Sequence, residues 1–165
     1  MKDSRVGAFG AIALLLVLLA KVSLLALLGS VNAGLLSLAL FLAHVLSRTW
    51  PLLLIRVMPH VGDAAGSKSK PLADQISGAA LLTALAWCLA AIALASYAVS
   101  AVDAAGLDKG VLLQALAAGL AASALALWLM GRWFWRRLQG FTGDCLGATQ
   151  QLCELAFYLG LALSL

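Results

Sequence analysis

Acidic side chains are the scarcest feature of this 165-residue sequence. It contains one Glu and six Asp against 11 Lys and Arg, so charged residues make up only 11% of the chain. Soluble domains carry about 25% charged residues. The shortage excludes an ordinary soluble domain, a soluble enzyme built on many carboxylates and a nucleic-acid surface built on an extended basic patch.

Cysteine and histidine are also too few and too scattered to indicate a metal centre. Cys88, Cys145 and Cys153 show no CxxC spacing, and His44 and His60 stand alone. Paired spacings are what zinc sites and redox motifs require. We therefore interpret the cysteines as small apolar residues and expect neither a histidine-based metal site nor a Ser-His-Asp arrangement.

Long apolar runs are what the sequence does contain. Hydrophobic residues make up 64% of the chain, and the stretches 22–47, 75–102 and 110–131 carry no charge. A spanning helix needs about 20 largely apolar residues. The sequence predicts an all-α, polytopic integral membrane protein with a single membrane-embedded domain over residues 1–165. The five predicted spans lie at about 6–28, 32–47, 77–102, 111–131 and 146–165.

The first span carries one basic residue, Lys21, which we explain by snorkelling of its side chain toward the outer interface. Lys2 and Arg5 ahead of the span also raise the alternative of a removable signal peptide. The apolar region of such peptides is about 7–15 residues long, and this one is longer. We therefore expect a retained first helix.

Basic residues predict the orientation of the chain. They are concentrated before the first span, in 48–74 and in 132–137. If all five spans cross the membrane, these three segments lie on one side, and the positive-inside rule makes that side the cytoplasm. The C-terminus then lies outside.

Small residues recur at helical spacing in the fourth predicted span, at Ala115, Gly119, Ala122 and Ala126. Such a stripe lets helix backbones approach closely in lipid. We interpret it as a packing surface.

The polar segment before the last span combines features that suit a phosphate. Gly140, Gly143 and Gly147 permit tight turns and close approach of a ligand to the backbone. Thr142 offers a hydroxyl, and Asp144 lies at the start of a helix whose N-terminus attracts anions.

Arg132, Arg136 and Arg137 precede this segment. They would neutralise phosphate oxyanions while Asp144 binds a divalent metal. The alternative is that Asp144 caps the last helix and that the arginines only follow the positive-inside rule. The residues by themselves leave both interpretations open.

A second polar segment, 66–70, resembles a flexible cationic loop that would wrap a diphosphate, although a solvated basic loop is equally expected there. Before it, Arg48 and Arg56 flank an apolar stretch that contains Pro51. We consider this stretch too short to span and expect it to lie in the interface or to re-enter the membrane.

Glu154 is a carboxylate inside a predicted span, where an ionised group is costly and usually faces the bundle interior. It shares a helix face with Gln150 and lies about 15 Å from Asp144 along the axis at ~1.5 Å per residue. Either it supports a cytoplasmic-facing site from below, or it is a hydrogen-bonded packing residue.

Two motifs resemble a known family. Residues 1–10, MKDSRVGAFG, and 140–151, GFTGDCLGATQQ, are similar to the cobalamin synthase family, adenosylcobinamide-GDP ribazoletransferase, with a weaker match at 47–48 and 67–71. The resemblance implies a multi-pass enzyme of the bacterial inner (cytoplasmic) membrane with a cytoplasmic active face. It would join adenosylcobinamide-GDP to α-ribazole, or its 5′-phosphate, with release of GMP and with Mg²⁺ as cofactor.

The resemblance also implies residue roles. Asp3 and Asp144 become the candidate catalytic and magnesium-binding carboxylates. The resemblance and the polar segments together suggest a set of substrate-binding residues. These are Lys2, Ser4, Arg5, Arg48, Ser67, Lys68, Arg132, Gly140, Thr142, Gly143, Gly147 and Glu154. The expected partners are the two small-molecule substrates and the lipid bilayer, with no nucleic acid, and an oligomer is left open.

The sequence departs from the family at its start. Family members carry an upstream segment with an Asp-rich motif, Asp-Gly-x-x-Asp-x-x-Asp-Gly, thought to bind the metal, whereas this sequence begins at a Met that is internal in the family. Asp3 and Asp144 alone make a poor magnesium site. The resemblance therefore predicts an N-terminally truncated member of the family, either because the sequence is a fragment or because its start codon is misplaced. It leaves open whether this chain is active by itself.

Two other functions compete with this one. A small transporter subunit would place polar groups near mid-membrane on broken helices, often in repeated halves. Apart from Glu154 the spans are plain, and the sequence contains no internal repeat. An inactive fragment or scaffold is the other alternative, because truncation and activity are separate questions.

Overall fold

The computed structural model describes residues 7–61, 76–101 and 108–165. Within these ranges the chain forms five helices and no strand, which confirms the all-α prediction. The helices are α1 (Ala8–Val31), α2 (Ala33–Val57), α3 (Gly78–Ala101), α4 (Lys109–Leu138) and α5 (Gly143–Ala162).

The first four helices are long and apolar enough to cross a bilayer, so the chain is a multi-pass membrane protein. The fifth predicted span corresponds to α5, which is 20 residues long and is not one of these four. Two of its polar side chains, Thr149 and Glu154, are buried against other helices. α5 is therefore covered by protein over much of its surface rather than by lipid.

The interpretation of the stretch around Pro51 as an interfacial or re-entrant segment is wrong. α2 does not end near residue 47 but continues to Val57, and it takes in Arg48, Pro51 and Arg56. Proline removes one backbone donor, yet helices in membranes tolerate it because nearby groups compensate for the lost bond. Pro51 is itself buried within the bundle.

The arginines after the fourth predicted span lie on a helix rather than in a loop. α4 continues to Leu138 and carries Arg136 and Arg137 in its last turn. Basic side chains are favourable there because the C-terminal end of a helix is partially negative. Gln139, with φ of 55°, adopts the left-handed conformation that ends the helix.

α4 and α5 pack closely enough for their backbones to touch. A Cβ atom on Gly160 would lie 2.7 Å from the carbonyl oxygen of Ala118 and 2.8 Å from the Cα of Gly119. Ala115 and Gly119 are both buried, so the predicted packing surface is confirmed at these two positions. Small residues at such contacts are what holds helices together in lipid.

α1 lies at the edge of the bundle, against α2 and α5. Its only buried residue is Leu28, and most of its large apolar side chains are exposed. A single residue, Asn32, connects it to α2, and the Asn32 side chain accepts hydrogen bonds from the backbone N–H groups of Gly34 and Leu35.

The contact at Gly160 predicts that replacing two glycines of α5 by alanine affects the free energy of unfolding differently. Gly160→Ala should lower the free energy of unfolding by about 1–3 kcal/mol, because the added methyl overlaps the α4 backbone. Gly147→Ala is the matched control, since it makes the same change in the same helix with open space around it. SDS titration in mixed micelles, followed by circular dichroism, measures both, and equal stabilities would contradict the close packing.

Candidate functional site

Two stretches that are distant in sequence, residues 59–61 and the α4–α5 connection, meet where α2 and α4 end and α5 begins. The backbone N–H of Phe141 donates to the carbonyl oxygen of Pro59 at 3.0 Å, and that of Val61 donates to the carbonyl oxygen of Phe141 at 2.9 Å. These bonds form a single parallel bridge between His60 and Phe141. The structure thereby places the residues that directly follow α2 beside the α4–α5 connection.

Gly140 is required at this junction. A Cβ atom there would overlap the carbonyl oxygen of Pro59 and would lie 2.6 Å from Cγ1 of Val61. The close backbone approach expected at Gly140 is thus an approach to the chain's own backbone. Gly143 is exposed and Gly147 has open space around it, so both remain available to a ligand.

Thr142, not Asp144, caps α5. Its Oγ1 accepts from the backbone N–H of Cys145 at 3.4 Å, and the hydroxyl donates to the Sγ of Cys145 at 3.3 Å. The interpretation of Asp144 as the helix cap is therefore wrong. Asp144 lies exposed in the first turn of α5, where a negative charge is favourable beside the helix N-terminus.

The carboxylate of Asp144 has no hydrogen-bond or ion-pair partner among the described residues. It is thus free to bind a cation or a ligand at the end of the bundle. No cluster of three or more His, Cys, Asp or Glu side chains occurs in the described ranges, so Asp144 does not belong to a preformed metal site there.

His60 belongs to the same junction, although the sequence did not indicate it. Its ring packs edge-on against Phe141 with a centroid distance of 5.4 Å. Its Nε2 is buried and has no hydrogen-bond partner within the described part of the chain. An unsatisfied buried polar group costs about 1–3 kcal/mol, so His60 is an additional candidate ligand-binding residue.

Arg48 and Arg132 lie away from this junction. Arg48 is nine residues before the end of α2, about 14 Å along the axis at ~1.5 Å per residue, and its Nη1 donates to the carbonyl oxygen of His44 at 3.3 Å. Arg132 lies over the ring of Trp128, 5.7 Å from its centroid. The structure does not bring either arginine together with Asp144.

Six of the predicted site residues lie outside the described residues. They are Lys2, Asp3, Ser4, Arg5, Ser67 and Lys68.

Glu154 is almost fully buried, with 2% of its side chain exposed, and it is paired with Lys21. The Lys21 Nζ lies 2.7 Å from Oε1 of Glu154, and the Tyr158 hydroxyl donates to the same oxygen at 3.0 Å. The prediction that Lys21 snorkels to the outer interface is wrong. A carboxylate inside the bundle needs a partner, and Lys21 is the only basic residue of α1.

His44 lies near this ion pair without bonding to it. Its Nδ1 is 3.9 Å from Oε1 of Glu154 but 2.8 Å from the carbonyl oxygen of Leu40. Since a carbonyl oxygen only accepts hydrogen bonds, Nδ1 carries a proton and donates to Leu40 within its own helix. The stronger interactions of Glu154 are those with Lys21 and Tyr158.

α1 and α5 run in the same direction. The C-terminal end of α2 meets the N-terminal end of α5 through Pro59 and Phe141, so these two helices are antiparallel. α1 is joined to α2 by Asn32 alone and runs opposite to it while packing against it. Both α1 and α5 therefore begin at the same end of the bundle.

The ion pair sets how far α1 and α5 are displaced along their axes. Lys21 lies 13 residues after the start of α1 at Ala8, and Glu154 lies 11 residues after the start of α5 at Gly143. At ~1.5 Å per residue these are distances of about 20 and 16 Å. The ion pair therefore places the start of α1, which follows the first residues of the 1–10 motif, at a depth in the bundle similar to that of the start of α5, which lies in the 140–151 motif.

Removing one member of the ion pair should destabilise the bundle. Lys21→Met leaves the carboxylate of Glu154 buried without its cation and should lower the free energy of unfolding by about 3–5 kcal/mol. The double variant Lys21→Met/Glu154→Gln removes both charges and should recover most of that loss. SDS unfolding of both single variants and the double variant gives the coupling energy, and additive effects would contradict a direct ion pair.

Comparison with known proteins reveals similarity over nearly the whole chain. A model of the cobalamin-5-phosphate synthase family matches residues 1–162. An adenosylcobinamide-GDP ribazoletransferase of Albidiferax ferrireducens is 70% identical, over 100% of this chain and 60% of that protein. Proteins of the same name from Polaromonas naphthalenivorans and Vibrio cholerae are 54% and 40% identical, over 100% and 96% of this chain and 59% and 54% of their own length.

No solved structure matches the chain. The chain spans about 60% of the length of the first of these curated relatives. The family match includes the motif at 140–151, which holds the exposed carboxylate of Asp144 and the Thr142 cap. On this match and these identities, the chain belongs to the cobalamin-5-phosphate synthase family.

Proposed function

We propose that this chain supplies part of the active site of an adenosylcobinamide-GDP ribazoletransferase of the bacterial inner membrane. The observation that carries the proposal is the exposed carboxylate of Asp144 at the N-terminus of α5, which has no partner among the described residues, in a chain whose relatives bear that name. The substrates would be adenosylcobinamide-GDP and α-ribazole or its 5′-phosphate. The active face would be cytoplasmic, since the basic segments lie at that end of the predicted topology.

The reaction proposed is a transfer at phosphorus. A free ribose hydroxyl of α-ribazole, other than the 5′ oxygen that carries the phosphate in the alternative substrate, attacks the phosphorus attached to the cobinamide arm, a new P–O bond forms, and the P–O bond to GMP breaks. The hydroxyl proton goes to water or to a nearby base, and GMP leaves with the bridging oxygen. Such a transfer depends on positioning the reactants and on neutralising charge.

The residues around the α5 N-terminus suit these needs. Backbone N–H groups of the first turn and the partial positive charge of the helix end favour a phosphate oxygen. Gly143 and Gly147 leave the backbone accessible. Thr142 holds the start of the helix in place by capping it, so its proposed role is to position the turn.

Magnesium fits this site only with help from the substrate. Mg²⁺ is commonly held by one or two carboxylates together with substrate phosphates and water. Asp144 supplies one carboxylate that is unpaired within 7–61, 76–101 and 108–165, and Asp3, outside the described residues, is the proposed second. The metal would neutralise charge on the diphosphate, while the protein holds the substrate in line.

The placement of α1 supports the role of the first motif. The Lys21–Glu154 pair aligns the start of α1 with the start of α5, and Lys2, Asp3 and Arg5 directly precede α1 in the sequence. The described charges at mid-membrane neutralise each other in this pair. They therefore give no support to the transporter alternative, which needs polar groups that line a pathway.

Enzymatic activity is tested with the purified chain in lipid nanodiscs, given adenosylcobinamide-GDP, α-ribazole and Mg²⁺, with GMP release as the measurement. The same assay is run on a chimera in which the chain replaces its matching region in the Albidiferax ferrireducens relative. Release in either format supports the proposal, and release from the chimera alone shows that the chain is one part of the enzyme. No release from either, while the unaltered relative is active, overturns it.

Asp144→Asn should reduce GMP release roughly 100-fold in the active format, because it removes a charge that acts at the reacting phosphates. The matched control is Asp108→Asn at the start of α4, where Asp108 accepts hydrogen bonds from the backbone N–H groups of Gly110 and Val111. Asn is an equally good cap, so this variant should keep full activity. Equal rates for the two variants would contradict the role of Asp144.

A further inference from the structure

We propose that the groove between the C-terminal halves of α2 and α4 binds one anionic phospholipid. The headgroup phosphate would lie at Arg132 and Arg136, and an acyl chain would extend along the groove toward Ala124. This proposal does not rest on the proposed enzymatic function, because it concerns a different face of α4.

The groove has a volume of about 620 Å³ and lies on the outer surface of the bundle. Leu53 and Val57 line it from α2, and Ala124 and Leu127 line it from α4. Where the helices approach, a Cβ atom on Gly131 would lie 3.2 Å from Cδ2 of Leu54. The contact at Gly131 closes the floor of the groove.

Polarity changes along the groove in one direction. Ala124 and Leu127 make one end apolar, while Arg132 and Arg136 line the other end. From Ala124 to Arg136 is 12 residues, or about 18 Å of helix at ~1.5 Å per residue. One leaflet of a bilayer contributes about 15 Å of hydrocarbon, so the groove matches an acyl chain with its headgroup at the basic end.

Two tryptophans and two arginines form the basic end. Trp128 and Trp135 line the groove beside the arginines, and tryptophan prefers the headgroup level of a membrane. Arg132 is held over the ring of Trp128. Neither arginine has an acidic partner within the described ranges, so both charges are available to an external anion.

The arginines of the groove point away from the α5 junction. At about 100° per residue, Arg132 lies roughly 200° around α4 from Met130, and Met130 packs in the buried cluster that includes Phe141 and Cys145. Basic pockets between spanning helices on the cytoplasmic side are the usual binding places of anionic headgroups. A free phosphate would satisfy the arginines but would leave the apolar end uncovered.

The test is titration of the purified chain in detergent with phosphatidylglycerol or phosphatidylcholine, with the bound lipid counted by native mass spectrometry. We expect one phosphatidylglycerol per chain at concentrations where phosphatidylcholine does not bind. Arg132→Gln/Arg136→Gln should weaken phosphatidylglycerol binding roughly 30-fold, since each basic residue contributes about 1 kcal/mol and 1.4 kcal/mol is tenfold. Arg56→Gln/Arg137→Gln removes the same charge outside the groove and should change binding less than about threefold.

The Ala124→Trp variant distinguishes binding of a lipid from binding of a soluble anion. Ala124 is exposed, so a large side chain there fills the apolar end without entering the core, and it should weaken phosphatidylglycerol binding at least tenfold while both arginines remain. Equal binding of the two lipids would overturn the proposal. So would displacement of phosphatidylglycerol by inorganic phosphate, an unchanged affinity in Ala124→Trp, or equal losses in the two arginine pairs.

Discussion

An ion pair between the partly exposed Lys21 and the buried Glu154 determines how α1 joins the rest of the bundle. Apart from Lys21, α1 is largely apolar on all sides and buries only Leu28, and apolar surfaces have no preference for one another in lipid. The charged pair supplies that preference, because Glu154 cannot remain unpaired inside the bundle. It selects the rotation and the depth of α1, and Tyr158 completes the hydrogen bonding of the carboxylate.

Close backbone contacts determine where the α4–α5 connection meets the residues that follow α2. Gly119 and Gly160 let α4 and α5 touch, and Gly140 lets the connection between them pair with the backbone of Pro59. As a result, α5 presents its capped N-terminus and the exposed carboxylate of Asp144 beside the end of α2. The candidate site therefore depends on three glycines that have no chemical role in it.

Much of the fold was predictable from local properties of the sequence. The charge-free stretches indicated the helices, and the small-residue stripe indicated packing at Ala115 and Gly119. The wrong predictions concerned contacts between residues distant in sequence or the positions where helices end. The stretch around Pro51 continued as a helix, Thr142 rather than Asp144 became the cap of α5, and Lys21 turned inward. The position of Lys21 depends on Glu154, a neighbour that the sequence does not display, whereas the Thr142 cap is a local bond to Cys145 three residues later.

The sequence by itself determined the approximate positions of the five described helices, the multi-pass membrane architecture and the motifs that carry the family resemblance, because apolar runs and short motifs are local. Only the tertiary structure decided which charges are neutralised and which remain available. Lys21 and Glu154 cancel each other, whereas Asp144, Arg132 and Arg136 find no opposite charge in the described ranges. The physical reason is that an ion pair requires two groups within a few ångströms, and helix packing alone sets that distance.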